Sequence, residues 1–322
     1  MYNFRYPTLS IIAALGTLAC SAVFAQGNYP TKPIRMILPY ATGGSASALA
    51  HAIAEDMQAT LGQPVIVESR PGANSMTGAE IVAQAPNDGH TLLYLGWPTI
   101  STNLVVYKNV RYKLEDFQPI TTLFRSPVAL TVKKDLPASN LKELFDYARK
   151  QGGLSYGTSG AGSSPHLLLT RLSQATGVKF EHVPYKGEAP AVTDVLGGHL
   201  PMFAGSIATP AQQIRAGALK VLAVSSPDRL SAFPDVPTFR ETGFAEHVFT
   251  YWHGFAAPAG IPRPIVNRIH AAIVHAMSSK AVNTVLGPDQ IVTTMSPEDL
   301  LALIKTDIAT WGPVIRANNL TE

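Results

Sequence analysis

The chain predicts an α/β protein built as two similar lobes facing a shared cleft. Two observations lead there. Short apolar runs of strand length alternate with segments whose apolar residues recur every four positions. One unit, strand–glycine loop–amphipathic helix–glycine–strand, also occurs twice, once in each half of the chain. Strands alternating with helices imply parallel sheets covered on both faces.

The first segment stands apart from that pattern. Arg5 is followed by the mostly apolar or small run Leu9 to Ala22, and Val23-Phe24-Ala25 is a small-x-small pattern just before Gln26. Residues 1–25 therefore read as a secretory signal peptide. Cys20 could mark a lipidated leader, but Thr17-Leu18-Ala19 fits that pattern poorly. Cys20 is the only cysteine, so cleavage after Ala25 removes disulfides, thiol nucleophiles and thiolate metal ligands from consideration. No later stretch approaches the roughly 18 consecutive apolar residues of a membrane span. Without Arg5 the chain keeps 24 basic against 22 acidic residues, and only 15% of all residues are charged. No basic run occurs, so nucleic acid is not an expected partner.

The elements follow in order. Ile34–Leu38, Val65–Glu68 and Thr91–Leu95 have strand length and composition, and Leu49, Ile53, Met57 and Leu61 give the intervening helix one apolar face. Ile265, Ile269, Ile273 and Met277 repeat that spacing. A last helix starts at Ser296-Pro297-Glu298-Asp299 and buries Ile304, Ile308, Trp311 and Ile315. The first unit runs through Thr42-Gly43-Gly44-Ser45 and Gly62 to Arg70-Pro71-Gly72. The second runs through Ser159-Gly160-Ala161-Gly162-Ser163 and Gly177 to Tyr185-Lys186-Gly187. The expected lobes are residues 26–124 with 250–322, and residues 125–249, with crossings near Thr122–Pro127 and Val248–Gly254.

Both glycine loops enter helices, so their N–H groups and the helix dipole converge on a point suited to an anion. The first loop offers Tyr40, Ala41, Thr42, Gly43, Gly44, Ser45 and Ser47; the second offers Thr158, Ser159, Gly160, Ala161, Gly162, Ser163, Ser164 and His166. No lysine follows either glycine group, and neither contains G-x-G-x-x-G, which argues against nucleotides. A carboxylate is the easier guest, and one at each helix start would suit a dicarboxylate. Gly157-Thr158-Ser159-Gly160-Ala161 has only half of the glycine frame of a hydrolase elbow. Ser139-Asn140-Leu141-Lys142 matches S-x-x-K but lacks the companion motifs, and reads as a helix start. There is no H-E-x-x-H, and His270 and His275 point to different helix faces, so no metal is expected. Trp97, with Thr99, Ser101 and Asn103 close by, and Trp252 are candidates for an aromatic cleft wall.

The order Pro39-Tyr40 … Gly43-Gly44, Gly62-Gln63-Pro64-Val65, Glu68-Ser69-Arg70-Pro71-Gly72-Ala73 and Ala85-Pro86-Asn87-Asp88-Gly89 resembles the Bug-type proteins. These are extracytoplasmic solute receptors of tripartite tricarboxylate transporters. The likeness continues through His182-Val183-Pro184-Tyr185-Lys186-Gly187, Pro234-Asp235-Val236-Pro237-Thr238 and Pro258-Ala259-Gly260-Ile261-Pro262. It implies a type II periplasmic binding protein fold, two lobes with mostly parallel sheets flanked by helices and joined by two crossover segments. It also implies a periplasmic, cofactor-free monomer that catalyses nothing, closes on a small organic carboxylate, and hands it to a membrane permease. Family ligands include tri- and dicarboxylates, acidic amino acids and aromatic acids, gripped through backbone N–H groups and water at the two loops, here Ala41 to Ser47 and Thr158 to Ser164. The implied contacts extend to Tyr185, Ala204 and Gly205. Thr42 replaces a proline common among relatives, Ser47 and Ala204 replace aspartates, and His51 replaces an arginine. The lost acids lean the expected ligand away from amino acids, and Trp97 leans it toward a less polar acid. The rival readings are a secreted hydrolase using Ser159 or Ser163 with a histidine, and a sensory receptor serving a signalling partner.

Overall fold

The computed structural model describes residues 29–321 except Gly44 and Lys186. The expected signal peptide, with Cys20, lies outside the described residues.

Eleven strands and ten helices are formed among those residues. In chain order they are β1 (Ile34–Leu38), α1 (Ser45–Leu61), β2 (Val65–Ser69), α2 (Met76–Ala83), β3 (Thr91–Gly96), α3 (Asn103–Val106), β4 (Phe117–Pro127) and β5 (Ala129–Lys133). Then come α4 (Leu141–Lys150), β6 (Leu154–Thr158), α5 (Ser164–Thr176), β7 (Phe180–Pro184), α6 (Glu188–Leu196), β8 (Met202–Gly205), α7 (Ala211–Arg215) and β9 (Leu219–Val224). The chain ends with β10 (Thr250–Pro258), α8 (Arg263–Met277), α9 (Lys280–Val285), β11 (Ile291–Val292) and α10 (Pro297–Ala317).

The strands make two sheets, ordered β11-β4-β10-β3-β1-β2 and β7-β6-β8-β5-β9. Each contains one copy of the repeated unit as a parallel core: β1 pairs with β2 and β3, and β6 pairs with β7 and β8. The sheets are mixed rather than mostly parallel, because β4, β10, β11 and β5 join antiparallel. The crossings cause this. β4 leaves the first sheet, the chain continues into β5 of the second, and β10 brings it back alongside β4 with Thr250 opposite Pro127. A strand that returns beside its outgoing partner has to run the other way.

Period-two alternation builds a layer on each face. Ile34, Met36 and Leu38 face a core closed by α1 and α8, whereas Ile37 faces one closed by α2 and α10. All four spaced residues of α1 are buried, as are Ile269, Ile273 and Met277 of α8. Ser296 caps α10 by accepting the Asp299 N–H, and Ile304, Trp311 and Ile315 are buried beneath it. Asn140 caps α4, accepting the Glu143 N–H, so the S-x-x-K match is a helix start. At the crossing, Ser225 acts as a staple. Its N–H donates to Val128 O at 2.9 Å, and its carbonyl accepts from Phe249 N at 2.8 Å.

Candidate functional site

The carboxyl ends of β1, β2 and β3 in one sheet and of β6, β7 and β8 in the other carry the loops that meet between the sheets. In open α/β sheets this is the edge where ligands bind.

At the end of β1, Ala41, Thr42, Gly43 and Ser45 are exposed, while Ser47 is buried in the first turn of α1. Gly43 has φ +87 with open space where a side chain would be, a conformation that favours glycine. The Tyr40 ring turns inward, stacked 5.8 Å from His253 and edge-on to Tyr94. Its hydroxyl rests against Gly96, in the space a Cβ would occupy, so glycine at the end of β3 makes room for this ring. Burial raises the Tyr40 phenol above its ordinary value and holds His253 neutral, down at about 4.

At the end of β6, the Thr158 hydroxyl accepts the Gly160 N–H at 3.1 Å and lies 2.7 Å from His182 Nε2. Ser163 is the N-cap residue of α5, yet it makes no cap bond; its hydroxyl donates to Gly160 O at 2.7 Å. His166 accepts the Gly162 N–H at Nδ1, 3.1 Å away, which fixes the proton of the neutral ring on Nε2. The His166 and His182 rings stack at 3.8 Å. Burial lowers His166 to about 4, and burial plus the neighbouring ring lowers His182 to about 3. A neutral imidazole pair thus props the glycine loop.

A third loop, at the end of β2, is a feature that sequence reasoning missed. Gly72, Ala73, Asn74 and Ser75 have φ of 137, 44, 49 and 74 in succession, three of them non-glycine residues in a left-handed conformation. Asn74 donates to Asn103 Oδ1 at 2.9 Å and accepts from Asn103 Nδ2 at its carbonyl, 2.8 Å. The same Asn74 amide reaches Ala161 O of the second sheet's loop at 3.5 Å. Nearby, Val106 of α3 sits so close that a Cβ on Gly162 would be 3.1 Å from its Cγ2. These contacts bring the second glycine loop against the first lobe's wall. The available signal was Asn following Pro-Gly-Ala, since asparagine is enriched in left-handed backbone.

Thr99 and Ser101 belong to this wall as buried scaffolding. Thr99 lies 2.7 Å from Ser75 Oγ, and the Ser101 hydroxyl donates to Trp97 O. The two tryptophans are placed elsewhere. Trp97 and Trp252 are each 1% exposed, and their Nε1 groups donate to Asp307 of α10 at 3.0 and 2.9 Å. They are core residues joining the first sheet to α10, so the expected aromatic cleft wall is not made by them. Tyr40, Tyr251 and His253, all half-buried, form a ring cluster, and the two tyrosines pack against the first lobe's core.

On the second lobe, the Tyr185 N–H donates to Thr158 O at 3.0 Å, while its phenol turns to Asp194 of α6 at 2.5 Å. Ala204 packs into the lobe's own core. Gly205 is required by its neighbours, because a Cβ there would lie 2.7 Å from Glu188 Oε1. Beside it, Ser206 and Ser126 both donate to Asp289 Oδ2, at 2.8 and 2.7 Å, and link the two sheets at the crossing.

These loops can hold an anion by backbone and hydroxyl donors. They do not form a nucleophile–base pair, because Ser163 donates to a carbonyl and His166 Nδ1 is occupied by Gly162. Among the described residues no group of three or more His, Cys, Asp or Glu side chains converges to hold a metal.

Comparison with known proteins agrees with this fold. Residues 49–320 match the tripartite tricarboxylate transporter family receptor model. The chain is 32% identical over 308 residues to the protein BugT of Bordetella pertussis, covering 94% of each. It superposes on the periplasmic binding protein BugD with a TM-score of 0.81 and 32% identity, covering 91% of this chain and 99% of that one. MatC of Rhodopseudomonas palustris, solved with bound malate, superposes at 0.80 with 29% identity, covering 89% of this chain and 100% of that one. Rpa4515 of R. palustris, solved with adipate, superposes at 0.81 with 29% identity, covering 89% and 97%.

Proposed function

We propose the following on the premise that this chain belongs to the tripartite tricarboxylate transporter receptor family: it is a periplasmic receptor that binds a small organic carboxylate between its lobes and delivers it to the family's membrane permease. Malate and adipate in the two relatives set the ligand class. The supporting observation is a glycine loop–helix junction at the carboxyl end of each sheet's parallel strands, with Ala161 of the second within reach of Asn74 from the loop that follows β2. Gly160 and Gly162 have N–H groups committed to Thr158 and His166, so Ser159, Ala161 and the first turn of α5 supply the second wall's donors. Ala41 to Ser47 supply the first wall's. Hydrogen bonds to an ionised group contribute roughly 1.5–3 kcal/mol each, so about four of them support the roughly 8 kcal/mol of micromolar binding. No lysine or arginine is needed.

In this reading residues 1–25 are the export signal, lobe one comprises 26–124 and 250–322, lobe two comprises 125–249, and the receptor acts as a monomer. The lobes close about the β4–β5 and β9–β10 crossings.

A thermal-shift panel of carboxylates, sugars and peptides tests the ligand class. Ligand at about 100 times its dissociation constant adds roughly 2.7 kcal/mol, which moves the midpoint by on the order of 5 °C in a chain of this size. A shift with sugars or peptides and none with any carboxylate refutes the reading.

A further inference from the structure

Helix α5 starts at the second glycine loop and buries two different faces. Leu168, Leu169 and Leu172 pack into the core of their own lobe. Leu167 is fully buried instead in the first lobe's core, in the cluster that holds Val106, Ile304 and Trp311. Arg171 and Gln174 follow it four and seven positions on, the spacing of one helix face. The Arg171 guanidinium carbon lies 5.3 Å from the Trp311 ring centre of α10, and Gln174 Nε2 donates to Asn318 Oδ1, just past α10, at 2.8 Å. Two contacts extend this line to the helix start, Asn74 with Ala161 O and Val106 against Gly162. One strip of the second lobe, from its glycine loop to the last turn of α5, is thus seated on the first lobe.

The seat stands beside the crossing. Arg171 also donates to Glu246 O at 3.3 Å, shortly before β10, and Phe249 packs edge-on to Trp311 at 4.9 Å. Its chemistry suits a joint that is made and broken. The face turned to the second lobe's own core is all leucine, whereas the seat has one leucine, one cation–π contact and one amide pair. Gln174 is exposed and Arg171 half-buried, so water replaces their partners readily when the surfaces separate. We propose that this stripe of α5 is a closing latch. Leu167, Arg171 and Gln174 dock on the first lobe as the cleft shuts and leave as it opens, and so set how long the ligand stays without touching it. The inference rests on the two-lobed receptor reading above and adds to it the place where closure is held. The latched helix is also the one whose first turn faces the anion. A carboxylate at its N-terminus and the seat along its side therefore favour the same closed arrangement.

Thiol labelling of two neighbouring leucines tests the latch without any ligand. Cys20 is the only native cysteine and lies in the expected leader, so mature Leu167→Cys and Leu168→Cys proteins each carry a single thiol. Both leucines are fully buried, one in the seat and one in the second lobe's core. In the folded protein Leu167→Cys should react with a maleimide dye at least about tenfold faster than Leu168→Cys, because parting of the lobes uncovers only the first. Adding Arg171→Ala and Gln174→Ala should speed Leu167→Cys further and leave Leu168→Cys unchanged, with circular dichroism showing that every variant is folded. Equal rates at the two positions overturn the latch, since α5 then leaves its seat only when the second lobe unfolds. Release of malate or adipate, followed by stopped-flow tryptophan fluorescence, should be about tenfold faster from the Arg171→Ala/Gln174→Ala protein, equivalent to roughly 1.4 kcal/mol. An unchanged release rate also overturns the latch. Failure of the wild type to bind any small carboxylate overturns the ligand class instead, and the labelling comparison still decides the latch.

Discussion

Replacing His166 by glutamine should remove a pH-dependent share of the stability that the neutral ring provides. His166 accepts the Gly162 N–H, and burial lowers it from 6.5 to about 4. A histidine with a depressed value in the folded state binds fewer protons there than in the unfolded chain. Its stabilisation is therefore complete above about pH 6.5 and is lost as the pH falls toward 4. At about 1.4 kcal/mol per pH unit, the difference amounts to roughly 3 kcal/mol. Two acids act in the opposite sense. Glu188 is raised to about 7 and Asp307 to about 6, both by burial, so their contributions are present at low pH and are lost as the pH rises through those values. His182 and His253, lowered to about 3 and 4, act in the same sense as His166, so a difference curve is needed to read the His166 ring together with its effect on His182. Denaturant unfolding of wild type and His166→Gln at pH 7, 6, 5 and 4 provides it, since glutamine keeps an acceptor for Gly162 but does not titrate. The wild type should lose about 3 kcal/mol relative to the variant over that range. Parallel curves would mean that the ring is solvated and that the loop does not depend on a neutral imidazole.

Two further predictions concern the contact between the walls. Gly162→Ala puts a Cβ at φ +69, costing about 1 kcal/mol of stability, and 3.1 Å from Val106 Cγ2, so it should lower both the midpoint and ligand affinity. Adding Val106→Ala should recover affinity but not the backbone term, and calorimetry showing no recovery would place the affinity loss in the loop itself. Asn74→Ala leaves Asn103 Oδ1 buried without its donor, a loss of about 1–3 kcal/mol, and adds about 1 kcal/mol for alanine at φ 49. Asn74→Gly should show only the first of these by denaturant unfolding, so equal stability of the two variants would refute the strain at this position.

The units that use local rules were legible. The four-residue spacing of α1, the Ser296 cap and the doubled strand–loop–helix unit each depend on neighbours in sequence, and each is formed. The sheets' direction was harder, because β4 and β10 read locally as ordinary strands and become antiparallel only through the path of the crossing. The tryptophans failed for a related reason. Polar residues follow Trp97 in sequence, but Thr99 and Ser101 bond inward to the wall while the indole bonds to Asp307, 210 positions away. A side chain's company in sequence says little about its company across a sheet. The Asn74 wall was invisible for the same reason, since it joins residues from distant loops and opposite lobes.

Charge placement ties these observations to the way such a cleft works. A lysine or arginine buried under the loops would grip an anion tightly, but it would be an unpaired charge whenever the cleft is empty. Here the groups under the second loop are neutral: two stacked imidazoles, threonine and serine, bonded to one another or to the loop backbone. They stiffen the loop without adding a buried charge, and in the proposed reading the remaining N–H groups form strong bonds when the anion arrives and closure removes water. On that proposal, affinity depends on both lobes reaching the ligand at once, so release requires only that they part. A receptor that must give its ligand away is better served by many moderate donors on two movable walls than by a single fixed cation.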